Sequence, residues 1–221
     1  MKDTRNYFEK RNQKLEQDNR REHLAEKEIK TLQIFKEITN GKFLHSGSSV
    51  IDIGCGDQFM KNSFESIGVG YRGFDIDSLD IEKDRLPVAD GSQDLIISYA
   101  LIEHLSSPIN MIEESFRCLK PGGTIVIGTP NWWYSSKHFF DDYTHIKPYS
   151  PNTLRNLLND YGFKDIYDFP NLRCKSKFAY TNKYKYFLAN ARPFTGSPKF
   201  SFLIPNFLKG KSKGVFVLAK K

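Results

Sequence analysis

Two glycines and a carboxylate stand in this chain at the spacing a nucleoside grip requires. Val50-Ile51-Asp52-Ile53 is an apolar run that closes on Gly54-Cys55-Gly56-Asp57. Glycines at such a strand exit let the backbone turn tightly and approach a ligand closely. A second run, Tyr71-Arg72-Gly73-Phe74, ends at Asp75, 19 residues beyond Gly56. A carboxylate about 20 residues past a glycine turn, at the tip of the next strand, is placed to accept the two hydroxyls of a ribose. The third glycine of a dinucleotide fingerprint would fall where Phe59 stands, and Asp57 puts a negative charge at the start of the following helix. A pyrophosphate is therefore disfavoured, and a ligand that is positive or zwitterionic near the turn fits.

Two histidines are candidates for proton transfer, because imidazole titrates near neutral pH. His104 follows the apolar run Asp94–Ser98, at the edge of the sheet where a ligand would lie, and could equally be a satisfied histidine at a helix start. His145 closes the polar, aromatic-rich segment 131–145, which is too long for a plain connector. The alternative there is a folded-over loop whose aromatics cover the core.

These groups need a scaffold, and the patterning supplies one. Short apolar runs at Ser49–Ile53, Gly70–Phe74, Asp94–Ser98, Thr124–Gly128, Phe163–Phe169 and Gly214–Ala219 read as strands. Helical segments at Asp57–Ile67, Ile109–Leu119 and Pro151–Tyr161 separate them, ended by Gly68, Pro121-Gly122-Gly123 and Gly162. Alternating strands and helices imply an α/β fold, a mostly parallel sheet covered on both faces. Residues 1–39 lack Gly and Pro, read as helix and end at Asn40-Gly41, with an apolar stripe at Ile29, Leu32, Phe35 and Ile38. The chain is expected to divide into an N-terminal helical extension, 1–40, and an α/β domain, 41–221, with a basic aromatic insertion at about 170–213. The extension is either a solvated arm docking by its last turns or a lid or dimer contact.

Composition narrows the class. The chain has 221 residues, 39% of them apolar and 27% charged, and a mean hydropathy of −0.53. No apolar run approaches the roughly 18 residues of a membrane span, and Met1-Lys2-Asp3-Thr4-Arg5 lacks the apolar core of a secretory signal. Three cysteines, Cys55, Cys118 and Cys174, form no C-x-x-C and cannot all pair. A disulfide scaffold and a zinc ribbon are disfavoured, no metal site is assigned, and a reducing cytoplasm is expected. The net charge of +7 is uneven: +2 over residues 1–39, −6 over 40–150 and +11 over 151–221. Beyond Asp168 no acidic residue occurs, while residues 169–221 hold 12 Lys/Arg and eleven aromatics. Such a stretch suits an anionic glycan or lipid-type acceptor or nucleic acid, or else an insertion whose aromatics pack on the sheet.

The motifs together resemble class I S-adenosylmethionine-dependent methyltransferases of the small-molecule branch. Asp52-Ile53-Gly54-Cys55-Gly56 is similar to their first motif and Gly73-Phe74-Asp75-Ile76 to their second. Leu86-Pro87-Val88-Ala89-Asp90-Gly91-Ser92-Gln93-Asp94, Leu101-Ile102-Glu103-His104-Leu105 and Arg117-Cys118-Leu119-Lys120-Pro121-Gly122-Gly123 resemble the later blocks, in order, over residues 48–169. The resemblance implies a Rossmann-like sheet of seven strands, the last antiparallel, with S-adenosyl-L-methionine (product S-adenosyl-L-homocysteine) across the strand tips. By position, Gly54, Cys55 and Gly56 would face the methionine part, Asp52 would orient that loop or reach the amino group, and Asp75 would take the ribose. Ile76 would lie against the adenine, with Asp84, Arg85 or Leu86 at its edge and Glu82 an alternative carboxylate. Ser98, Tyr99, Ala100 and His104 would lie near the reacting end. A similar Asp-x-Thr-His segment in such enzymes favours His145 as base, with Asp142 to orient it.

Three departures stand out. Gln58 replaces the usual third glycine, the segment from Asp75 to Leu86 is too short for a helix, and 44 residues separate Phe169 from Gly214. Ser98-Tyr99-Ala100-Leu101 is not the Asn/Asp-Pro-Pro-Tyr grip for planar amines; no Pro-Cys pair serves cytosine-C5 chemistry; and Glu103 alone does not make the paired-glutamate loop of arginine methyltransferases. The expectation is methyl transfer to an oxygen or amine of a small-molecule or glycan/lipid-linked acceptor. An RNA-modifying enzyme and a catalytically silent binding protein are the alternatives.

Overall fold

A computed structural model describes residues 20–172, 177–187 and 212–221. The first half of the N-terminal segment, Cys174 and most of the basic stretch, including Phe194, Phe200 and Phe202, lie outside the described residues.

The strands β1 (Ser49–Ile53), β2 (Gly70–Phe74), β3 (Gln93–Tyr99), β4 (Leu119–Pro130), β5 (Lys164–Pro170) and β6 (Gly214–Lys220) form one sheet in the order β2-β1-β3-β4-β6-β5. β1 pairs in parallel with β2 and β3, and β3 with β4, whereas β6 runs antiparallel between β4 and β5. The fold is thus the Rossmann-like sheet expected, with six strands among the described residues where the resemblance implied seven. The difference lies at residues 75–92, which make turns instead of a third helix–strand unit. Arg117 holds that segment from the side, donating to the carbonyls of Leu86 (3.0 Å) and Val88 (2.8 Å), while Glu114 accepts from the Leu86 N–H at 2.8 Å. Helix side chains thereby supply the hydrogen bonds that a strand partner would give.

Alternation along the strands builds a core on each face. Ile51, Ile53, Ile96, Ile125, Ile127, Val215 and Val217 face α3 (Ile109–Cys118) and α5 (Pro151–Asp160), which bury Met111, Ile112, Leu154 and Leu158. Val50, Leu95, Ile97, Val126, Phe216 and Leu218 face α1 (Arg20–Thr39) and the short α2 (Lys61–Glu65), with Phe64 between. The stripe on α1 does what its spacing predicts: Ile29, Leu32 and Phe35 are buried and Ile38 packs beside them. Phe35 stacks on Phe169 at 4.5 Å and meets Tyr180 and Phe216 edge-on. Tyr180 lies on α6 (Lys177–Thr181), so part of the long insertion packs over the same face. Of its described lysines, Lys177 pairs with Glu37 at 3.4 Å and Lys185 with Asp168 at 3.5 Å. No described helix is long and apolar enough to cross a membrane.

Candidate active site

The C-terminal tips of β1, β2 and β3 meet around the glycine turn. Gly54 (φ 78°) and Gly56 (φ 53°) both take the left-handed conformation. A Cβ on Gly54 would come within 2.9 Å of Leu101 Cδ2, so the turn presses against the exit of β3. Gln58 (φ 59°) takes this conformation too, with a strain of roughly 1–2 kcal/mol. Its N–H donates to the Cys55 carbonyl (2.9 Å), and its stem lies over Gly73, whose missing side chain makes the room.

Asp75 is tied to this turn. Gly56 N–H donates to Asp75 Oδ2 at 2.7 Å, and Ile76 N–H to Oδ1 at 2.7 Å. Each oxygen keeps a further lone pair, which is what a ribose diol requires. Ile76 follows with 53% of its surface exposed, an apolar plate beside that carboxylate. Beneath the turn, Asp52 is buried and accepts from Tyr71 Oη at 2.8 Å. Burial pushes its pKa up to about 7; the Tyr71 hydrogen bond opposes this and the Asp75 charge adds to it. Burial, with the charges of Asp52 and Asp75, also pushes the Cys55 thiol up to about 12, so Cys55 is no nucleophile at neutral pH. Asp57 is paired with Arg21, which brings α1 to the rim of the turn.

The remaining positions separate. Asp84 Oδ2 accepts from Asp80 N–H (2.8 Å) and Glu82 Oε1 from Ser107 N–H (2.7 Å). Arg85 is exposed and pairs with Asp90 at 3.1 Å, whereas Leu86 is buried in the core. Ser98 is also buried, its hydroxyl 3.8 Å from Met111 Sδ, and Tyr99 lies edge-on to Phe216. Ala100 (φ 52°) is exposed at the strand tip.

From Leu101 the chain makes a single 3-10 turn, Ile102–His104, beside the segment after β4. Ile146 N–H donates to the Glu103 carbonyl (2.8 Å), drawing His145 to His104, with ring centroids 4.8 Å apart. His145 Nδ1 lies 2.6 Å from the Phe139 carbonyl, and His104 Nδ1 3.0 Å from both the Thr144 carbonyl and its hydroxyl. A carbonyl only accepts, so each Nδ1 carries a proton, and a neutral ring then has its lone pair on Nε2. Thr144 Oγ1 donates in turn to Asp142 Oδ1 (2.6 Å). Asp142 Oδ2 is 3.9 Å from His145 Nε2, beyond hydrogen-bonding reach. That distance is an ion pair when the ring is protonated, and through Thr144 the same carboxylate also reaches His104. Trp133, Phe140, Tyr143 and Ile146 are about half or more exposed around this pair.

Residues 18–167 match the model of a methyltransferase domain family. The chain belongs to that family. A protein of Mycolicibacterium smegmatis described as a "probable S-adenosylmethionine-dependent methyltransferase" is 28% identical over 101 residues, 39% of this chain and 39% of its own length. An uncharacterized methyltransferase of Mycolicibacterium gilvum is 25% identical over 52% of this chain and 54% of its own. The methyltransferase thus spans about half or less of these curated relatives. Among solved structures, a SAM-dependent methyltransferase from Archaeoglobus fulgidus superposes with a TM-score of 0.60 at 22% identity, covering 88% of this chain and 94% of that one. Phosphoethanolamine N-methyltransferase 2 of Haemonchus contortus, in complex with S-adenosyl-L-methionine, gives 0.52 at 18%, covering 86% of this chain and 52% of that one. At these identities the likeness is one of fold.

The residues present fit that cofactor: a turn too crowded for a Cβ at Gly54, a carboxylate held by two N–H groups, and an apolar plate at Ile76. Sequence reasoning missed Tyr71, Thr144 and Arg117. Tyr71 had a signal, since it lies in register with Val50 on the strand next to Asp52. Thr144 sat inside a segment read for its histidine.

Proposed function

We propose that this methyltransferase places a methyl group from S-adenosyl-L-methionine on an oxygen or amine of a small-molecule or glycan/lipid-linked acceptor. When bound, that cofactor supplies a methyl group already activated on a sulfonium. The protein's work is then alignment, which contributes roughly 7–11 kcal/mol in well-oriented systems. Asp75 holds the ribose hydroxyls, and the Gly54–Gly56 backbone lines the methionine end.

The observation that carries the reading is the meeting of His104 and His145 at 4.8 Å, with each Nδ1 against a backbone carbonyl. Their Nε2 lone pairs suit an acceptor O–H or N–H, and taking that proton is worth about 10²–10⁴-fold. Leu101 links the two halves: its side chain meets Gly54, and its carbonyl accepts from His104 N–H at 2.8 Å. The exposed rim of Trp133, Phe140, Tyr143 and Ile146 favours an acceptor with an apolar body, which would shed water as it binds.

Transfer of radiolabelled methyl groups to a panel of hydroxyl and amine acceptors, with and without apolar tails, tests this. Turnover that falls in His145→Ala supports it. Cofactor binding with no transfer to any oxygen or nitrogen acceptor, or equal turnover after both histidines are replaced, contradicts it.

A further inference from the structure

The same two histidines have a third companion. Glu103 is buried, and one oxygen each from its carboxylate and one nitrogen each from His104 and His145 all lie within 4.8 Å of one another. We propose that Glu103, His104 and His145 form a binding site for a divalent first-row transition ion, with open positions for an oxygen of the acceptor.

Three observations support it. The ligand set, two imidazoles and one carboxylate, is that of open mononuclear sites in which three protein groups leave room for a small oxygen ligand. Both imidazoles meet backbone carbonyls at Nδ1, those of Phe139 and Thr144, so each ring would ligate through Nε2. This is how metal-ligating histidines are ordinarily held. The carboxylate has an outer support as well, since Thr129 Oγ1 donates to Glu103 Oε2 at 2.8 Å.

Ligand atoms 2.0–2.2 Å from one ion, as in zinc sites, stand about 3–4 Å apart, so closing this site takes a shift of about 1 Å or less in half-buried side chains. The site itself rests on these residues alone. Its role towards the acceptor rests on the function proposed above: with an ion in place the histidines act on the acceptor oxygen through the metal instead of on its proton directly. The pattern hides in the sequence because His145 lies 41 residues beyond His104.

The test uses the untagged full chain, stripped with chelator and titrated with Co²⁺ by visible absorption and with Zn²⁺ by calorimetry. One equivalent of each binds, and Mg²⁺ in excess displaces neither. His145→Ala and Glu103→Gln lower the affinity by more than about 100-fold, and Thr144→Val, which removes only an outer support, by about 10–100-fold. Because Glu103 is buried, His145→Gln serves as the second ligand variant, with its folding checked by thermal unfolding. No stoichiometric binding, or unchanged affinity in both His145 variants, overturns the site. Calorimetry with S-adenosylhomocysteine on the same samples separates the two readings. Metal binding without cofactor binding leaves the metal site standing and removes the methyl-transfer reading; cofactor binding without metal binding does the reverse.

Discussion

The Gly56 N–H donates to Asp75 Oδ2 at 2.7 Å, so the glycine turn of β1 and the carboxylate at the tip of β2 form one unit. The carboxylate both shapes the turn and presents its remaining lone pairs. An Asp75→Ala variant therefore loses a ligand contact and a loop anchor together. S-adenosylhomocysteine binding should weaken by at least the roughly 1–3 kcal/mol of an unmade hydrogen bond to a charged group, tenfold or more by calorimetry. An unchanged dissociation constant would remove Asp75 from the site.

Asp52 gives stability an unusual pH dependence. Its folded pKa is about 7, against an ordinary value of 3.8, because burial disfavours the charged form. The native state then holds a proton that the unfolded chain releases above about pH 4. The stability this contributes is complete below pH 4 and is lost as pH rises through 7, at about 1.4 kcal/mol per pH unit at most. Asp52→Asn should flatten melting temperature against pH between 5 and 8 relative to the parent. Tyr71→Phe, which removes the hydrogen bond favouring the ionised form, should steepen the loss above pH 7. Parallel curves for parent and Asp52→Asn would show that Asp52 ionises normally.

Thr144 stands between Asp142 and His104, and this separates two kinds of defect. His145→Ala should lower kcat by about 10²–10⁴-fold with cofactor affinity unchanged. Thr144→Val leaves both rings in place and should lower kcat by a smaller factor, again without effect on cofactor binding. If either variant lost cofactor affinity in step with turnover, the histidine end would be part of the cofactor site.

Phe35 carries the docking of α1. It is buried and stacked on Phe169 at 4.5 Å, with Tyr180 and Phe216 at its edges. Phe35→Ala should cost about 3–5 kcal/mol in urea unfolding. A loss below 1 kcal/mol would mean that α1 lies on the sheet without being held there.

Much of this was legible from local pattern, because the strands alternate with helices that stop shortly before Gly68, Pro121 and Gly162, and a buried parallel sheet leaves continuous apolar runs. The stripe on α1 was legible for the same reason. What escaped was long-range and polar. Arg117 closes residues 86–90 from about 30 positions away, doing the work of a strand the chain is too short to build, and no periodicity records that. The Asp-x-Thr-His resemblance pointed to Asp142 as the partner of His145, and the two stand 3.9 Å apart; that the same carboxylate also accepts from Thr144 was not legible. Gln58 looked like an obstacle to the turn, yet it adopts the left-handed conformation at modest cost.

The central claim is that an adenosyl sulfonium lies between the Gly54–Gly56 turn and Asp75. A crystal structure of the full chain with S-adenosylhomocysteine tests it most directly. The account predicts ribose hydroxyls within hydrogen-bonding distance of Asp75, adenine over Ile76, and the homocysteine sulfur on the side of Leu101 and His104. Ligand bound elsewhere on the chain, or the ribose turned away from Asp75, would contradict it.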